Sequence, residues 1–255
     1  MSENGFPLKG KIALVTGGSK GIGRAIAIAY AKAGADVAIA ARGTENLDTA
    51  KAEIEKTGLR CLAISADLSL DSEIKRVHDK VTAELDDVDI LVNCAGIGYF
   101  VALSDLNYDQ FSEVMRLNTW AGLRLSQLCY PGMKRKGKGV IINIASTGGI
   151  KPDIFAGAYS ASKSALIMFT KQIACEWGRD GIRCVAICPG LVRTEMAAPL
   201  VAHREKLGFQ NLVNRVGEPD EIAGMALLLA SEAGSYCQGA IYLMDGGSTV
   251  NASWG

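Results

Sequence analysis

The chain of 255 residues has no apolar run long enough to cross a bilayer: stretches such as 225–230 fall far short of the roughly 18 residues required, so no transmembrane helix is expected. It also lacks net charge. Lys and Arg together number 27, as do Asp and Glu, so no overall field draws it to nucleic acid or an anionic membrane. Histidine is scarce: His78 and His203 stand remote from each other and from any cysteine pair, and local spacing assembles no zinc site. The seven cysteines include no Cys-x-x-Cys pair. Cys184 and Cys188 lie in an apolar run where they pack as small hydrophobes, and reduced thiols are expected. Residues 1–10 hold neither an apolar stretch nor a basic run and resemble no signal or transit peptide, so a cytoplasmic location is expected. No repeat of about 20 to 50 residues and no biased or linker-like segment interrupts the chain.

What is present is a core-forming composition, 49% hydrophobic against 21% charged, read as one domain over residues 1–255. Short apolar, β-branched runs recur at 11–16, 36–41, 59–65, 89–93, 140–145, 183–188 and 240–244. Helical spacing fills the intervals at 22–32, 47–56, 72–85, 108–133, 159–177 and 219–230. The strands are almost continuously apolar rather than alternating, so both sheet faces are covered by helices. That predicts an α/β, doubly wound, parallel sheet of about seven strands. The irregular stretch 191–217 follows a strand ending at Cys188-Pro189-Gly190 and is a candidate lid, the alternative being an ordinary surface loop with a helix in it.

Thr16-Gly17-Gly18-Ser19-Lys20-Gly21-Ile22-Gly23 follows the first strand and opens the first helix. Small residues there let the backbone approach a pyrophosphate, whose charge meets free amides at the helix N-terminus. No Gly-Lys-Ser/Thr occurs, which disfavours nucleoside triphosphates. At the end of the second strand, where Asp or Glu would select NAD, the chain has Ala41-Arg42. A missing acid removes repulsion toward a 2′-phosphate, Arg42 supplies a fork of donors, and Lys20 can add a second positive charge. NADP is the better fit.

Tyr159 and Lys163 stand four apart on one predicted helix face. A free tyrosine ionises near about 10, and a neighbouring ammonium lowers that value, which makes the pair an acid–base device for a hydroxyl or carbonyl. Ser146, at the end of a strand, could hold the carbonyl oxygen beside the tyrosine.

With these motifs, Asp67 after the third strand, Asn93-Cys94-Ala95-Gly96 after the fourth, Asn118, Pro189-Gly190 and Asp245-Gly246-Gly247 in order, the whole chain resembles the short-chain dehydrogenase/reductase family. The resemblance implies a Rossmann fold and a Ser-Tyr-Lys-Asn site. Tyr159 would be the general acid in reduction and Ser146 would orient the carbonyl. Lys163 would bind the nicotinamide ribose and tune Tyr159, and Asn118 would hold a water for proton relay. Gly17, Ser19, Gly21, Ile22 and Gly23 would cradle the pyrophosphate, and Asp67 and Leu68 would contact the adenine. Asn93, Ala95 and Gly96 would line the cofactor cleft, while Pro189, Gly190 and Thr194 would meet the carboxamide end. The family's usual Asn-Asn-Ala-Gly carries Cys94 at its second position here.

The nearest general likeness is to 3-oxoacyl-(acyl carrier protein) reductases and to sugar or polyol dehydrogenases, which the sequence does not separate. A non-catalytic NADP-binding sensor is the alternative from another class. The basic run Lys134-Arg135-Lys136 with Lys138 and Arg179 could dock an acidic carrier protein, or be a solvated helix end. The resemblance also implies a homotetramer through the segments at 108–133 and 159–177 and the last strand; the tail 248–255 is too short to fold alone, and its Trp254, an unusual residue to leave in water, is expected to pack on a neighbouring subunit.

Overall fold

Seven short strands alternate with helices in the computed structural model of the chain, which describes residues 6–250. The strands are β1 (Ile12–Thr16), β2 (Asp36–Ala41), β3 (Cys61–Ser65), β4 (Ile90–Asn93), β5 (Gly139–Ile144), β6 (Ile182–Pro189) and β7 (Ile241–Met244). They form one sheet, ordered β3-β2-β1-β4-β5-β6-β7, and every pairing is parallel. β1 shows why: all five of its residues are buried, with Ala13 and Val15 in the core on one face and Ile12 and Leu14 in the core on the other.

The helices are α1 (Gly21–Lys32), α2 (Thr44–Glu55), α3 (Asp71–Glu84), α4 (Tyr108–Met115), α5 (Ala121–Lys136), α6 (Gly157–Trp177), α7 (Ala198–Leu207) and α8 (Pro219–Ala230). α1, α2 and α8 cover one face of the sheet; α3, α5 and α6 cover the other. Each fully buried Leu or Ile contributes about 1.5–3 kcal/mol, far more than an exposed ion pair, so these two apolar layers hold the fold.

The helical stretch expected at 108–133 is divided. α4 passes through a π-helical turn, Arg116–Trp120, before α5 begins, and Asn118 sits in that turn. The extra residue leaves the chain continuous, so helical spacing in the sequence does not expose it. α5 then runs to Gly137, whose φ of +60° ends it. The cations near this end are engaged by carboxylates: Lys134 with Asp180 (3.2 Å), Arg135 with Asp87 (2.8 Å), Lys136 with Asp89 (3.1 Å), and Lys138 with Glu232. The run is therefore a neutralised helix end rather than an open basic patch.

Residues 191–217 leave β6 and return to α8 with their base closed by backbone bonds, Arg193 N–H to Gly217 O (2.9 Å) and Gly217 N–H to Leu191 O (3.0 Å). α7 lies inside this loop. Trp254, which the sequence reading packs on a neighbour, lies outside the described residues.

Between β1 and β4 the strand order reverses, so their carboxyl ends diverge and leave a crevice. Thr16 pins its floor. Its Oγ1 accepts from Cys94 N (2.9 Å) and Ala95 N (3.1 Å) and donates to Val92 O (3.3 Å). Replacing Thr16 with Val keeps the shape and strands two amides. We expect a loss of about 1–3 kcal/mol in urea unfolding, with Thr16→Ser close to wild type; an unchanged Thr16→Val would show that the clasp is dispensable.

Candidate active site

The carboxyl ends of β1, β4, β5 and β6 open onto a cleft of about 690 Å³. At one end lies the glycine loop. Gly17 turns with φ +67°, and a Cβ on Gly23 would lie 2.4 Å from Gly17 O, so the turn and the close crossing of helix over strand both require glycine. Ser19, Lys20, Gly21 and Ile22 line the same stretch. The first turn of α1 has no side-chain cap and no acidic residue, which leaves its amides for an anion. These features fit a dinucleotide pyrophosphate.

Arg42, Asp67 and Leu68 line the neighbouring part of the cleft at the ends of β2 and β3. The Asp67 carboxyl is held below the usual carboxylate range, first by the backbone amide of Ser69 (3.0 Å) and further by the charges of Arg42 and Arg116. Lys20, expected to stand ready as a second cation, is engaged across the cleft mouth by Glu195 (2.6 Å). Both are exposed, and such a pair is worth at most about 1 kcal/mol, so a phosphate can displace it.

At the other end Ser146, Tyr159 and Lys163 converge. Ser146 follows β5, and its Oγ accepts from Gly148 N (3.0 Å), fixing the turn behind it. Lys163 is buried beneath Tyr159, with its Nζ 5.6 Å from the centre of the phenol ring and donating to Ile144 O (2.9 Å). Burial pushes the Lys163 ammonium down to about 8. Burial pushes Tyr159 up, opposed by a hydrogen bond with Ser146. From helical spacing alone Lys163 is expected to lower the phenol. In the structure desolvation outweighs that effect, and Ser146 supplies the lowering. A phenol held protonated beside a hydroxyl is equipped to donate a proton to an oxygen lodged in that corner.

Asn118 sits next to this corner with its side chain committed: Oδ1 accepts from Ile97 N (2.8 Å), and Nδ2 donates to Ile97 O (2.8 Å) and Ser162 Oγ (3.0 Å). A Cβ on Gly96 would lie 3.2 Å from Asn118 Oδ1 and 3.5 Å from Lys163 Nζ, so glycine keeps that space clear. Ala95, Gly96, Pro189, Gly190 and Thr194 also line the cleft.

Asn93 is not among the lining residues. It is buried, and its Nδ2 donates to Asn143 Oδ1 (2.8 Å) and Gly122 O (3.3 Å), tying β4 to β5 and α5. The cause is strand alternation: Asn93 falls on the same face as Leu91, under α5, and not at the open end. Cys94 lines the cleft instead. Burial pushes its thiol up to about 11, and its amide is held by Thr16.

The family model described as short chain dehydrogenase matches residues 11–205. The chain belongs to that family. It is 36% identical to a D-beta-hydroxybutyrate dehydrogenase of Cupriavidus necator, over 94% of this chain and 98% of that one. It is 33% identical to a gluconate 5-dehydrogenase of Gluconobacter oxydans, over 96% and 97%. Among solved structures, an L-sorbose reductase from Gluconobacter frateurii complexed with NADPH and L-sorbose superposes with a TM-score of 0.89 at 31% identity, over 95% of this chain and 98% of that one. As a family member the chain is an oxidoreductase that acts on alcohol and ketone groups with a nicotinamide cofactor. No helix of the described residues is long and apolar enough to cross a membrane.

Glu195 and Met196, which line the cleft from the loop after β6, escape the motif reading. Their one signal is position, since they follow Thr194 directly.

The buried ammonium has a thermodynamic signature. Burial holds the Lys163 ammonium at about 8 in the folded chain, below the 10.5 of a solvated lysine such as the unfolded chain presents. Folding therefore releases a proton between those values, and wild-type stability rises with pH through the window. Lys163→Met lacks that rise, so its stability relative to wild type should fall by up to about 3 kcal/mol on going from below pH 8 to above pH 10.5. Parallel denaturant curves across the window would show the ammonium to be solvated.

Proposed function

We propose that the protein is an NADP(H)-dependent carbonyl reductase of the 3-oxoacyl type, with Ser146, Tyr159, Lys163 and Asn118 as its catalytic set. The observation that carries this reading is the placement of Ser146 and the raised phenol of Tyr159 at one end of a cleft whose other end holds the uncapped α1 N-terminus and Arg42. When bound, NADPH supplies a hydride to the carbonyl carbon. Ser146 holds the carbonyl oxygen. Tyr159 Oη gives that oxygen its proton, completing the alcohol, and its phenol is replenished from solvent past Lys163 and a water beside Asn118. Because burial keeps Tyr159 protonated at neutral pH, the acid role and the reducing direction go together.

For the cofactor, Arg42 stands where an acid would select NAD. The NADPH-bound L-sorbose reductase is a related chain with that cofactor. The gluconate and sorbose enzymes among the relatives favour a second reading for the substrate, a sugar or polyol. The neutralised run at Lys134–Lys138 gives no support to a carrier-protein dock.

A homotetramer is proposed on the exposed apolar side chains of Tyr108 and Phe111 on α4, Met168 on α6 and Leu243 on β7. The seven cysteines are all unpaired, which suits a reducing compartment, and a cytoplasmic location is proposed on that ground.

Tyr159→Phe should leave NADPH binding close to wild type and lower kcat about 100- to 10,000-fold, read by cofactor absorbance with ketone substrates. Retention of more than a few per cent of kcat removes Tyr159 from the acid role. Arg42→Asp should reverse the NADPH-over-NADH preference in kcat/KM, each lost charge-assisted hydrogen bond being worth about 1.5–3 kcal/mol; a wild type that already prefers NADH contradicts the cofactor assignment. Light scattering should report four times the chain mass of 26.9 kDa, and a monomer overturns the assembly.

A further inference from the structure

The residues that line the cleft include three cations, and none is free to meet a charged group carried by the substrate. Lys20 belongs to the glycine loop and Arg42 to the end of β2, while Lys163 lies under Tyr159 with its Nζ bonded to Ile144 O. Ser146 opens the loop between β5 and α6, and this loop carries a carboxylate, Asp153. A Cβ built on Gly148 would lie 3.0 Å from Asp153 Oδ2 and 3.4 Å from Ser146 Oγ, so the Asp153 carboxylate and the Ser146 hydroxyl flank one point. The field of Asp153 also reaches the Tyr159 phenol and adds to the effect of burial there. Lys151, on the same loop, is exposed and is not among the charges that act most on Tyr159.

Two aromatic residues belong to the loops here, Phe155 between β5 and α6 and Phe100 after β4. The Phe100 ring lies 6.1 Å from the Tyr159 ring, and both Phe100 and Phe155 are exposed toward solvent. Phe155 holds φ +66°, a left-handed conformation that is strained for so large a residue, directly before Ala156, which bridges to Val101.

We propose that Asp153 is a charge selector at the substrate mouth: the site takes ketones that are neutral or cationic near the carbonyl and discriminates against those carrying a carboxylate there. The inference rests on the carbonyl-reductase reading and narrows its substrate class. A carboxylate beside the reacting carbonyl would meet the charge of Asp153, and the three cations among the described cleft-lining residues are placed at the cofactor end or under Tyr159. Esters, thioesters, cyclic ketones and ketones bearing an amine remain admissible, with Phe100 and Phe155 contacting the apolar part.

The test uses matched probes: 4-oxocyclohexanecarboxylate against its methyl ester, 3-oxobutanoate against its ethyl ester, and 4-(dimethylamino)cyclohexanone as the cation. The ester should exceed the acid in kcat/KM by about tenfold or more in the wild-type enzyme. The ratio should move toward parity in Asp153→Asn, reverse in Asp153→Lys, and narrow in the wild type as salt is added. A second readout needs no substrate. Asp153→Asn should lower the titration of the Tyr159 phenol in ultraviolet difference spectra, with Tyr159→Phe identifying that signal. Turnover in which the acid matches or exceeds its ester, or a ratio that Asp153→Asn leaves unchanged, overturns the selector while leaving the reductase reading intact. Absence of turnover on every probe together with absence of nicotinamide-cofactor binding overturns the reductase reading, and the selector with it.

Discussion

Three atoms at the divergence of β1 and β4 set the position of everything else: Thr16 Oγ1 and the amides of Cys94 and Ala95 that it holds. The sheet order reverses there, so no strand fills the space above the two carboxyl ends, and a cleft is unavoidable. The clasp keeps Gly17 within reach of Ala95, where a Cβ would come within 3.1 Å, and so fixes the glycine loop against the strand end. From that fixed point the loop after β4 runs on to Gly96 and Ile97, and Ile97 is gripped on both its N–H and its C=O by Asn118. The chemical corner is thus tied to the phosphate end through the loop after β4, whose backbone is held at one end by the buried Thr16 side chain and at the other by that of Asn118.

Burial then decides the chemistry. Lys163 could be an ordinary surface lysine four residues along a helix from a tyrosine, and there it would do little. Placed under Tyr159 and against Ile144 O, it is desolvated, and its proton affinity drops. The same desolvation raises Tyr159, with Ser146 working against it. The two groups are thereby pushed apart in proton affinity, so the phenol keeps its proton at neutral pH while the amine beneath it lies closer to giving up its own. This arrangement opposes stability, since a buried ammonium is a cost the two apolar layers must offset.

Much of this was legible in the residues alone. The strands were readable because a parallel sheet covered on both faces needs unbroken apolar runs, and Ile12–Thr16 or Asp36–Ala41 can hardly be anything else. Tyr159 and Lys163 were readable because helical spacing puts them on one face. The π-helical turn at Arg116–Trp120 was not, since one added residue inside a continuous helix leaves the apolar spacing nearly intact. Asn93 was misplaced by reading a motif as a set of ligands. Alternation along β4 sends Leu91 and Asn93 to the α5 side, and that period-two pattern was the available signal. The Lys20–Glu195 and Asp153–Gly148 juxtapositions join segments distant in sequence or buried in loop geometry, which spacing does not encode.

The central claim is that the corner of Ser146 and Tyr159 receives a carbonyl group facing the nicotinamide end of the cleft. Its most direct test is transfer of label. NADPH deuterated at C4 is incubated with the wild-type enzyme and a neutral 3-oxo ester, and the alcohol is analysed by mass spectrometry and proton NMR. The account predicts one deuterium, placed on the carbinol carbon, delivered from one face of the cofactor and to one enantiomer of product. An enzyme that binds the cofactor yet returns an alcohol without deuterium, or returns no alcohol from any ketone, contradicts it.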